Sequence, residues 1–279
     1  MALFQLPNGD FLHYEVIPNI LPENTVFIHG NLASNRWWYP TEQEARKFYK
    51  GRSLKGAMIL VEFLGCGKSS NPRQAADVNM RVFAKDFIDL LASLKNAWSE
   101  FGISEDSKFH LVGHSTGGLI AALMLARQPD LFSRAVLLDP VGAQGVQFDD
   151  SMIGAFQAMK NDKALTAQVI GSTIYENNPE SDFFKQIVVE DAFHAVQTVG
   201  HWVLQALSGL DIRDEVSKVP NEVLVLHGEF DVLLSKEESQ KLSQLMSRST
   251  FEIFEGQGHC PNAENPEAFF KKMNTYLFR

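Results

Sequence analysis

Residues 109–127 read FHLVGHSTGGLIAALMLAR, and this stretch decides the fold. Phe109–Val112 is an apolar run typical of a buried strand, and Thr116–Arg127 is so apolar that a helix there would be buried on most sides. Between them lies the pattern G-x-S-x-G at Gly113–Gly117. A sharp strand-to-helix turn strains its serine and exposes Oγ, and small flanking residues allow close packing. The stretch therefore predicts Ser115 as a nucleophile; the alternative is a glycine-rich turn with an incidental serine.

A serine hydroxyl is a weak nucleophile without a neighbouring base, and His259 is our candidate for that base. It follows the last predicted strand, Phe251–Phe254, in a glycine-containing loop that can reach over the edge of a sheet. The other histidines compete poorly because they lie in predicted strands, helical segments and turns, or directly before glycines at strand ends. The alternative is an ordinary histidine of a surface loop.

The base needs an acid to fix its tautomer and to stabilise the imidazolium, and Asp231 is our first candidate. It follows the predicted strand Glu222–Leu226, which gives the chain order Ser, Asp, His. Two rivals stay open. Glu229 lies two residues earlier, and Asp139 follows the preceding predicted strand.

A tetrahedral intermediate needs two N–H donors aimed at its oxyanion. The backbone N–H of Thr116, directly after the nucleophile, is one of them. We expect the second donor from the loop after the short apolar run Thr25–Ile28, where the backbone N–H of Asn31 is the first choice and that of Leu32 the next. Gly30 would allow the backbone to approach a substrate oxygen closely. The alternative is that this loop is only a tight connection.

The remaining chain alternates short apolar strands with helices, which predicts an α/β fold with a mostly parallel sheet covered on both faces. Asn8-Gly9 separates Leu3–Leu6 from Phe11–Ile17 and predicts a hairpin with a type I′ turn. Asn79–Phe101 is the clearest amphipathic helix, and Gly102 fits the position that ends it. Further strands are expected at Ala57–Val61 and Ala135–Leu138, and further helices at Ser235–Met246 and Pro266–Leu277.

The stretch 141–208 breaks this alternation, because it shows helical patterns and no convincing strand. We therefore expect a helical cap at 141–208 and a core built from 1–140 and 209–279. Five side chains are expected to contribute to a substrate pocket: Trp37, Trp38, His114, Phe156 and Trp202. Such a pocket would favour an apolar acyl or alkoxy group. For any single one of these aromatic residues, a place in the hydrophobic core is the alternative.

Composition excludes several classes of function. The chain has 279 residues and a net charge of −9, which fits one large α/β domain and disfavours nucleic-acid binding. Its two cysteines form no CxxC pair, so no zinc or redox motif is expected. The serine mechanism calls for no metal or organic cofactor, and a small-molecule substrate is the expected partner. The start MALFQLPNGD does not resemble a signal peptide, and every apolar run is too short to span a bilayer. We therefore expect a cytoplasmic protein, and the sequence leaves its oligomeric state open.

Four segments together resemble the α/β-hydrolase superfamily: His29–Asn31, Gly113–Gly117, Gly228–Asp231 and Gly258-His259. They span nearly the whole chain in the family's order. The resemblance implies an eight-stranded sheet whose second strand is antiparallel, and a cap after the sixth strand. Gly65–Ser69 is also similar to the family's G-x-G-[RK]-S loop, although Glu62 stands where the family usually has Asp. We expect that departure to affect the loop's hydrogen bonds and not the triad.

The nucleophile decides the branch of the superfamily. His29–Asn31, followed by Ser34 and Trp37-Trp38, is similar to the corresponding loop of haloalkane dehalogenases. Those enzymes and the epoxide hydrolases need an aspartate where this chain has Ser115. The resemblance therefore implies a serine hydrolase acting on a carboxylic ester, lactone or thioester of a small, largely apolar substrate. C–C bond hydrolysis by the same triad, acyl transfer, and a non-enzymatic ligand receptor are the alternatives.

Overall fold

The computed structural model describes residues 2–97 and 103–279. The strands are β1 Ala2–Gln5, β2 Phe11–Leu21, β3 Thr25–Ile28, β4 Gly56–Val61, β5 Phe109–His114, β6 Phe132–Leu138, β7 Glu222–Gly228 and β8 Ser249–Phe254. Within the described residues they form one eight-stranded sheet in the order β1-β2-β4-β3-β5-β6-β7-β8. β2 is antiparallel to β1 and β4, and the other pairings are parallel. The predicted mostly parallel sheet with an antiparallel second strand is confirmed.

Helices connect the strands from β3 onward and follow β8. They are α1 Tyr39–Phe48, α2 Met80–Ala97, α3 Thr116–Arg127, α4 Asp150–Met159, α5 Lys163–Ser172, α6 Val189–Thr198, α7 Gly200–Leu207, α8 Arg213–Val216, α9 Lys236–Leu245, α10 Pro261–Glu264 and α11 Pro266–Leu277. A 3₁₀ turn, Asn35–Trp38, precedes α1, and a π-helical turn, Phe184–Val188, precedes α6. No described helix is both long and apolar enough to cross a membrane.

Successive side chains of a strand point to opposite faces of the sheet, and each face of this sheet is covered by a core cluster. Val26 and Ile28 of β3 belong to one core cluster, and Phe27 between them belongs to the other. The first cluster includes side chains of α2 and α3, and the second includes side chains of α1 and α11. The carboxyl ends of the parallel strands consequently meet at one edge, where residues following β3, β5, β7 and β8 come together.

All residues from 139 to 221 are described, and none of them forms a strand. Helices α4 to α8 and the π-helical turn occupy this stretch, in agreement with the helical pattern of the sequence. Their buried side chains, such as Ile170, Val188 and Val203, belong to the same core cluster as the first face of the sheet. The division into a core and a separate cap at 141–208 stays a prediction.

The predicted type I′ turn of the first hairpin is wrong. Gly9 has a positive φ of 88°, but Asn8 is not in that region. The N–H of Gly9 donates to Leu6 at 2.9 Å and the N–H of Leu6 donates to Asp10 at 2.8 Å, so the connection is longer than two residues. Pro7 is the reason, because its fixed φ suits the first central position of a type I turn and not a positive φ.

Other boundaries differ by a few residues. β2 continues to Leu21 instead of ending at Ile17, and β8 begins at Ser249. The predicted helix Asn79–Phe101 begins at Met80. Its predicted end, including Gly102, lies outside the described residues.

Candidate active site

The turn between β5 and α3 holds Ser115 in a strained backbone conformation. Its φ is 54° and its ψ is −119°, a combination that residues with a side chain rarely adopt. Glycines make the turn possible, since a Cβ on Gly113 would lie 2.4 Å from the carbonyl oxygen of Gly117. A Cβ on Gly117 would in turn lie 2.4 Å from the carbonyl oxygen of His29. Ser115 is 8% exposed and borders a cavity, so its hydroxyl is accessible from that side.

His259 reaches the same cavity from the loop after β8. Its Nδ1–H donates to Oδ2 of Asp231 over 2.8 Å, and Oδ1 of Asp231 accepts the N–H groups of Leu233 and Leu234 at 2.7 and 3.0 Å. Burial acts to raise the pKa of Asp231, but these donors outweigh it and hold the pKa below its ordinary value. An ionised Asp231 fixes the tautomer that leaves Nε2 of His259 free to act as a base. No hydrogen bond joins Ser115 to His259 among the described residues, and such contacts commonly tighten only when substrate binds.

The two rival acids, Glu229 and Asp139, accept hydrogen bonds from backbone N–H groups and not from His259. Glu229 accepts the N–H of Gly256 at 2.9 Å. Asp139 is fully buried and accepts the N–H of Gly228 at 2.7 Å. Burial, together with the nearby Asp231 carboxylate, raises the pKa of Asp139 well above its ordinary value and favours its neutral form. The geometry therefore favours Asp231 as the acid.

One side-chain cluster has the composition of a metal site. Ligand atoms of Asp139, His227 and Asp231 lie within 4.8 Å of one another. Nδ1 of His227, however, is hydrogen-bonded to Ser239 at 2.9 Å, and Asp231 is hydrogen-bonded to His259. A metal held by all three would disturb the bond that orients His259, so the cluster does not suit a metal in a working triad.

The loop after β3 passes directly beside the nucleophile. A Cβ on Gly30 would lie 3.1 Å from the Cβ of Ser115. Asn31 and Thr116 both border the cavity. The N–H of Leu32 already donates to Oδ1 of Asn31 at 3.0 Å, and Nδ2 of Asn31 donates to the carbonyl oxygen of Gly200 at 3.2 Å. The geometry therefore favours the N–H of Asn31 over that of Leu32 as the partner of Thr116 in an oxyanion hole.

His114 supports the loop that carries His259. Its Nε2–H donates to the carbonyl oxygen of His259 at 2.8 Å. Burial, together with the neighbouring His259, lowers the pKa of His114 to about 3, so its ring is neutral with the proton on Nε2. His114 also borders the cavity, as the sequence suggests for a pocket residue, but its ring binds the loop that carries His259.

A cavity of about 130 Å³ joins these groups. The rest of its wall is largely apolar and is contributed by α4, α5, α7, the loops beside them and the loop after β7: Val141, Val146, Phe148, Met152, Phe156, Val169, Ile170, Leu204, Leu207, Leu233 and Leu234. Among the described residues that line it, none is Lys, Arg, Asp or Glu. The cavity therefore suits a small, uncharged, apolar group next to the nucleophile.

Trp37 and Phe156 line this cavity, but the expectation that Trp38 and Trp202 also do so is wrong. Trp38 is fully buried in the opposite core, with its ring centroid 5.3 Å from that of Phe27 and 6.0 Å from that of Phe269. Adjacent residues of a 3₁₀ turn point to different sides, which separates Trp37 from Trp38. Trp202 packs against the first core cluster from a side of α7 that does not line the cavity.

Several wall residues were not foreseen from the sequence. Val169, Ile170 and Thr173 of the α5 segment line the cavity, as do Leu204 and Leu207 of α7. Their spacing of three and four residues is the available signal, but it equally describes a helix face buried in a core. Only packing of these helices over the edge of the sheet decides between the two.

Glu62 organises the loop 65–69 and does not contact the triad. Its carboxylate accepts Nδ1–H of His13 and the N–H of Lys68, both at 2.8 Å, and the N–H of Asn35 at 3.3 Å. A Cβ on Gly67 would lie 2.1 Å from Oε1 of Glu62, so glycine leaves room for this side chain. The placement agrees with the expectation that Glu62 affects hydrogen bonding in the loop.

The candidate catalytic groups Ser115, Asp231 and His259 lie at the carboxyl edge of the mostly parallel sheet. Residues 25–272 match the model of the Alpha/beta hydrolase family, and the chain therefore belongs to that family. Residues of the chain are 29% identical over 189 positions to the 2-hydroxy-6-oxo-2,4-heptadienoate hydrolase of Pseudomonas putida, covering 62% of this chain and 64% of that enzyme. Human monoglyceride lipase is 22% identical over 297 positions, covering 95% of this chain and 91% of the lipase.

A solved structure shows the same fold. The esterase from Exiguobacterium antarcticum superimposes with a TM-score of 0.79 at 21% identity, covering 100% of this chain and 99% of the esterase. At this identity the likeness concerns the architecture, and it supports the assignment of the eight-stranded sheet and its helices.

Proposed function

We propose that the protein is a serine esterase that cleaves a small, uncharged, largely apolar carboxylic ester through an acyl-enzyme on Ser115. The observation that carries this proposal is a convergence on one apolar cavity. The strained Ser115, His259, Asn31 and Thr116 all border it, and Asp231 binds His259 at 2.8 Å from behind. Lactones and thioesters present the same carbonyl to these groups and belong to the same proposal.

The mechanism follows from these positions. His259 takes the proton of Ser115 through Nε2 as Oγ attacks the carbonyl carbon, and Asp231 stabilises the imidazolium. The N–H groups of Asn31 and Thr116 donate to the oxyanion. His259 then protonates the leaving alkoxide, and a water molecule that His259 deprotonates hydrolyses the acyl-enzyme. The reaction needs only the groups of the chain and water.

Charge and size of the cavity define the substrate class. Removing a carboxylate or an ammonium from water costs several kcal/mol unless it is paired, and the described wall offers no partner of opposite charge. A cavity of about 150 Å³ holds one benzene-sized molecule, so 130 Å³ fits a short acyl or aryl group. We therefore expect neutral esters of short acyl groups to be preferred.

C–C bond hydrolysis is the second candidate, because one relative carries the name of a heptadienoate hydrolase. A dienoate bears a carboxylate that its binding site must accommodate. The described lining of this cavity has no Lys or Arg, and burial of an unpaired carboxylate is unfavourable. This difference favours ester over C–C bond hydrolysis.

The proposal is tested with p-nitrophenyl esters from acetate to dodecanoate, using the wild type and Ser115→Ala. We expect turnover that depends on Ser115 and is highest for short chains. A fluorophosphonate should label the wild type at Ser115 and leave the variant unlabelled. A folded wild type that neither turns over any ester nor is labelled would refute the proposal, and turnover of a dienoate in place of esters would establish the second candidate.

A further inference from the structure

The carboxylate of Glu264 binds the backbone on both sides of His259. Glu264 is the last residue of α10, five residues beyond His259. Its Oε2 accepts the N–H of Gly258 at 2.6 Å, and its Oε1 accepts the N–H of Cys260 at 2.9 Å. Two donors that flank the base are therefore fixed by one side chain.

His259 is thereby held at three points. Asp231 binds its imidazole at 2.8 Å, and His114 binds its carbonyl oxygen at 2.8 Å. Glu264 holds the N–H groups of the residues before and after it, Gly258 and Cys260. The first contact orients the ring, whereas the other two set the position of the backbone from which the ring extends.

Glu264 also ties this loop to the wall of the cavity. Its Oε1 accepts a third N–H, that of Tyr175, at 2.9 Å. Tyr175 comes three residues after the end of α5, whose Val169 and Ile170 line the cavity. A Cβ on Gly258 would lie 2.6 Å from the Cβ of Tyr175, so the two backbones are in close contact.

Three backbone N–H groups converge on the carboxyl group of Glu264. Burial raises the pKa of Glu264 from its ordinary value, and the three N–H donors oppose that rise by stabilising the carboxylate. Hydrogen bonds from N–H groups to an ionised acceptor are stronger than those between neutral groups. A neutral amide at this position has one acceptor oxygen and cannot serve all three donors with its two terminal atoms.

We propose that Glu264 is a positioning residue, which sets the place of His259 relative to Ser115 and couples the α5 wall to the catalytic loop. The inference rests on the proposed function, since it assumes that His259 is the base for Ser115. Misplacement of a catalytic group by about 1 Å can cost about 100-fold in rate. Loss of this clamp should therefore lower kcat and leave substrate affinity nearly unchanged.

The test compares Glu264→Gln, Glu264→Asp and the control Glu267→Gln in the full chain. Glu267 lies one turn further along, is exposed, and pairs with Lys271 at 2.5 Å. For p-nitrophenyl butyrate we expect Glu264→Gln to lower kcat by roughly 10- to 100-fold with KM changed less than about threefold. Glu264→Asp keeps a carboxyl group but is one methylene too short to reach all three donors. Its kcat should therefore lie between those of Glu264→Gln and the wild type. The control should match the wild type.

Labelling of Ser115 by a fluorophosphonate distinguishes a failure of the proposed function from a failure of the positioning role of Glu264. If the wild type is not labelled, the proposed function fails. If the wild type is labelled and both Glu264 variants are labelled at its rate with unchanged kcat, only the positioning role fails. Should Glu264→Gln not fold, Glu264→Asp decides alone, and a kcat within about twofold of the wild type would overturn the inference.

Discussion

Replacement of Asp231 by asparagine tests the proposed site most sharply, because it exchanges one carboxylate oxygen for an NH2 group and removes the charge while keeping the shape of the side chain. The side-chain oxygen of the new amide can still accept the N–H groups of Leu233 and Leu234, which bind Oδ1 of Asp231 at 2.7 and 3.0 Å in the wild type. The amide nitrogen would take the place of Oδ2, which lies 2.8 Å from Nδ1 of His259. A donor there forces Nδ1 to accept, and the ring proton moves to Nε2.

The expected loss follows from that tautomer. With its proton on Nε2, His259 cannot accept the proton of Ser115. The equivalent change in a serine protease lowers kcat about 10⁴-fold, which corresponds to about 5.5 kcal/mol of activation free energy. We expect a loss of the same order in Asp231→Asn, and little change in the free energy of unfolding.

The assay is kcat for p-nitrophenyl butyrate together with the rate of fluorophosphonate labelling, each with two matched controls. Glu229→Gln should stay within about threefold of the wild type, because this exposed acid accepts the N–H of Gly256 at 2.9 Å and not a proton of the His259 ring. Asp139→Asn should stay within about tenfold, since Asn resembles the neutral carboxyl that burial favours at this position. A variant Asp231→Asn within tenfold of the wild type would refute the reasoning. A 10⁴-fold loss in Asp139→Asn instead would move the acid to Asp139.

Three further predictions concern the cavity and the core. Phe156→Ala enlarges the cavity, so the acyl chain of the preferred p-nitrophenyl ester should become longer by roughly two to four carbons; an unchanged chain-length profile would show that Phe156 does not limit the pocket. Trp38→Phe should lower the free energy of unfolding by about 1–3 kcal/mol in a denaturant titration with kcat unchanged, and a selective loss of kcat would return Trp38 to the substrate pocket. Burial raises the pKa of Asp86 to about 6, so the folded state disfavours its ionised form as pH rises from 4 to 6. Asp86→Asn should therefore stabilise the protein by about 1 kcal/mol at pH 7.5, after allowance for screening, and not at pH 4; an equal effect at both pH values would contradict this origin.

The sequence alone was sufficient for the elements whose local pattern has one physical solution. The apolar strand, the G-x-S-x-G turn and the apolar helix around Ser115 predict a buried strand and helix joined at a sharp turn, and the structure has them at 109–127. Alternation of buried strands with helices similarly predicts the parallel sheet, because such strands must be covered on both faces. At Pro7 the pattern was overridden by a neighbour, since the Asn8-Gly9 signal ignores the fixed φ of the preceding proline.

Contacts between distant segments could not be read in this way. The choice of Asp231 over Asp139 and Glu229 depends on which carboxylate lies 2.8 Å from His259, across 28 residues of chain. Trp37 and Trp38 are adjacent and chemically equal in the sequence, yet one lines the cavity and the other fills the opposite core. The Glu264 side chain of α10 joins the backbone that follows α5, at Tyr175, to the backbone on both sides of His259. Local propensity and hydrophobic period are encoded within a few residues, whereas which side chains meet in a cavity is set by the packing of whole elements. The sequence therefore determined the fold and the candidate nucleophile and base, and only the tertiary structure decided between the candidate acids and formed the cavity with its supports.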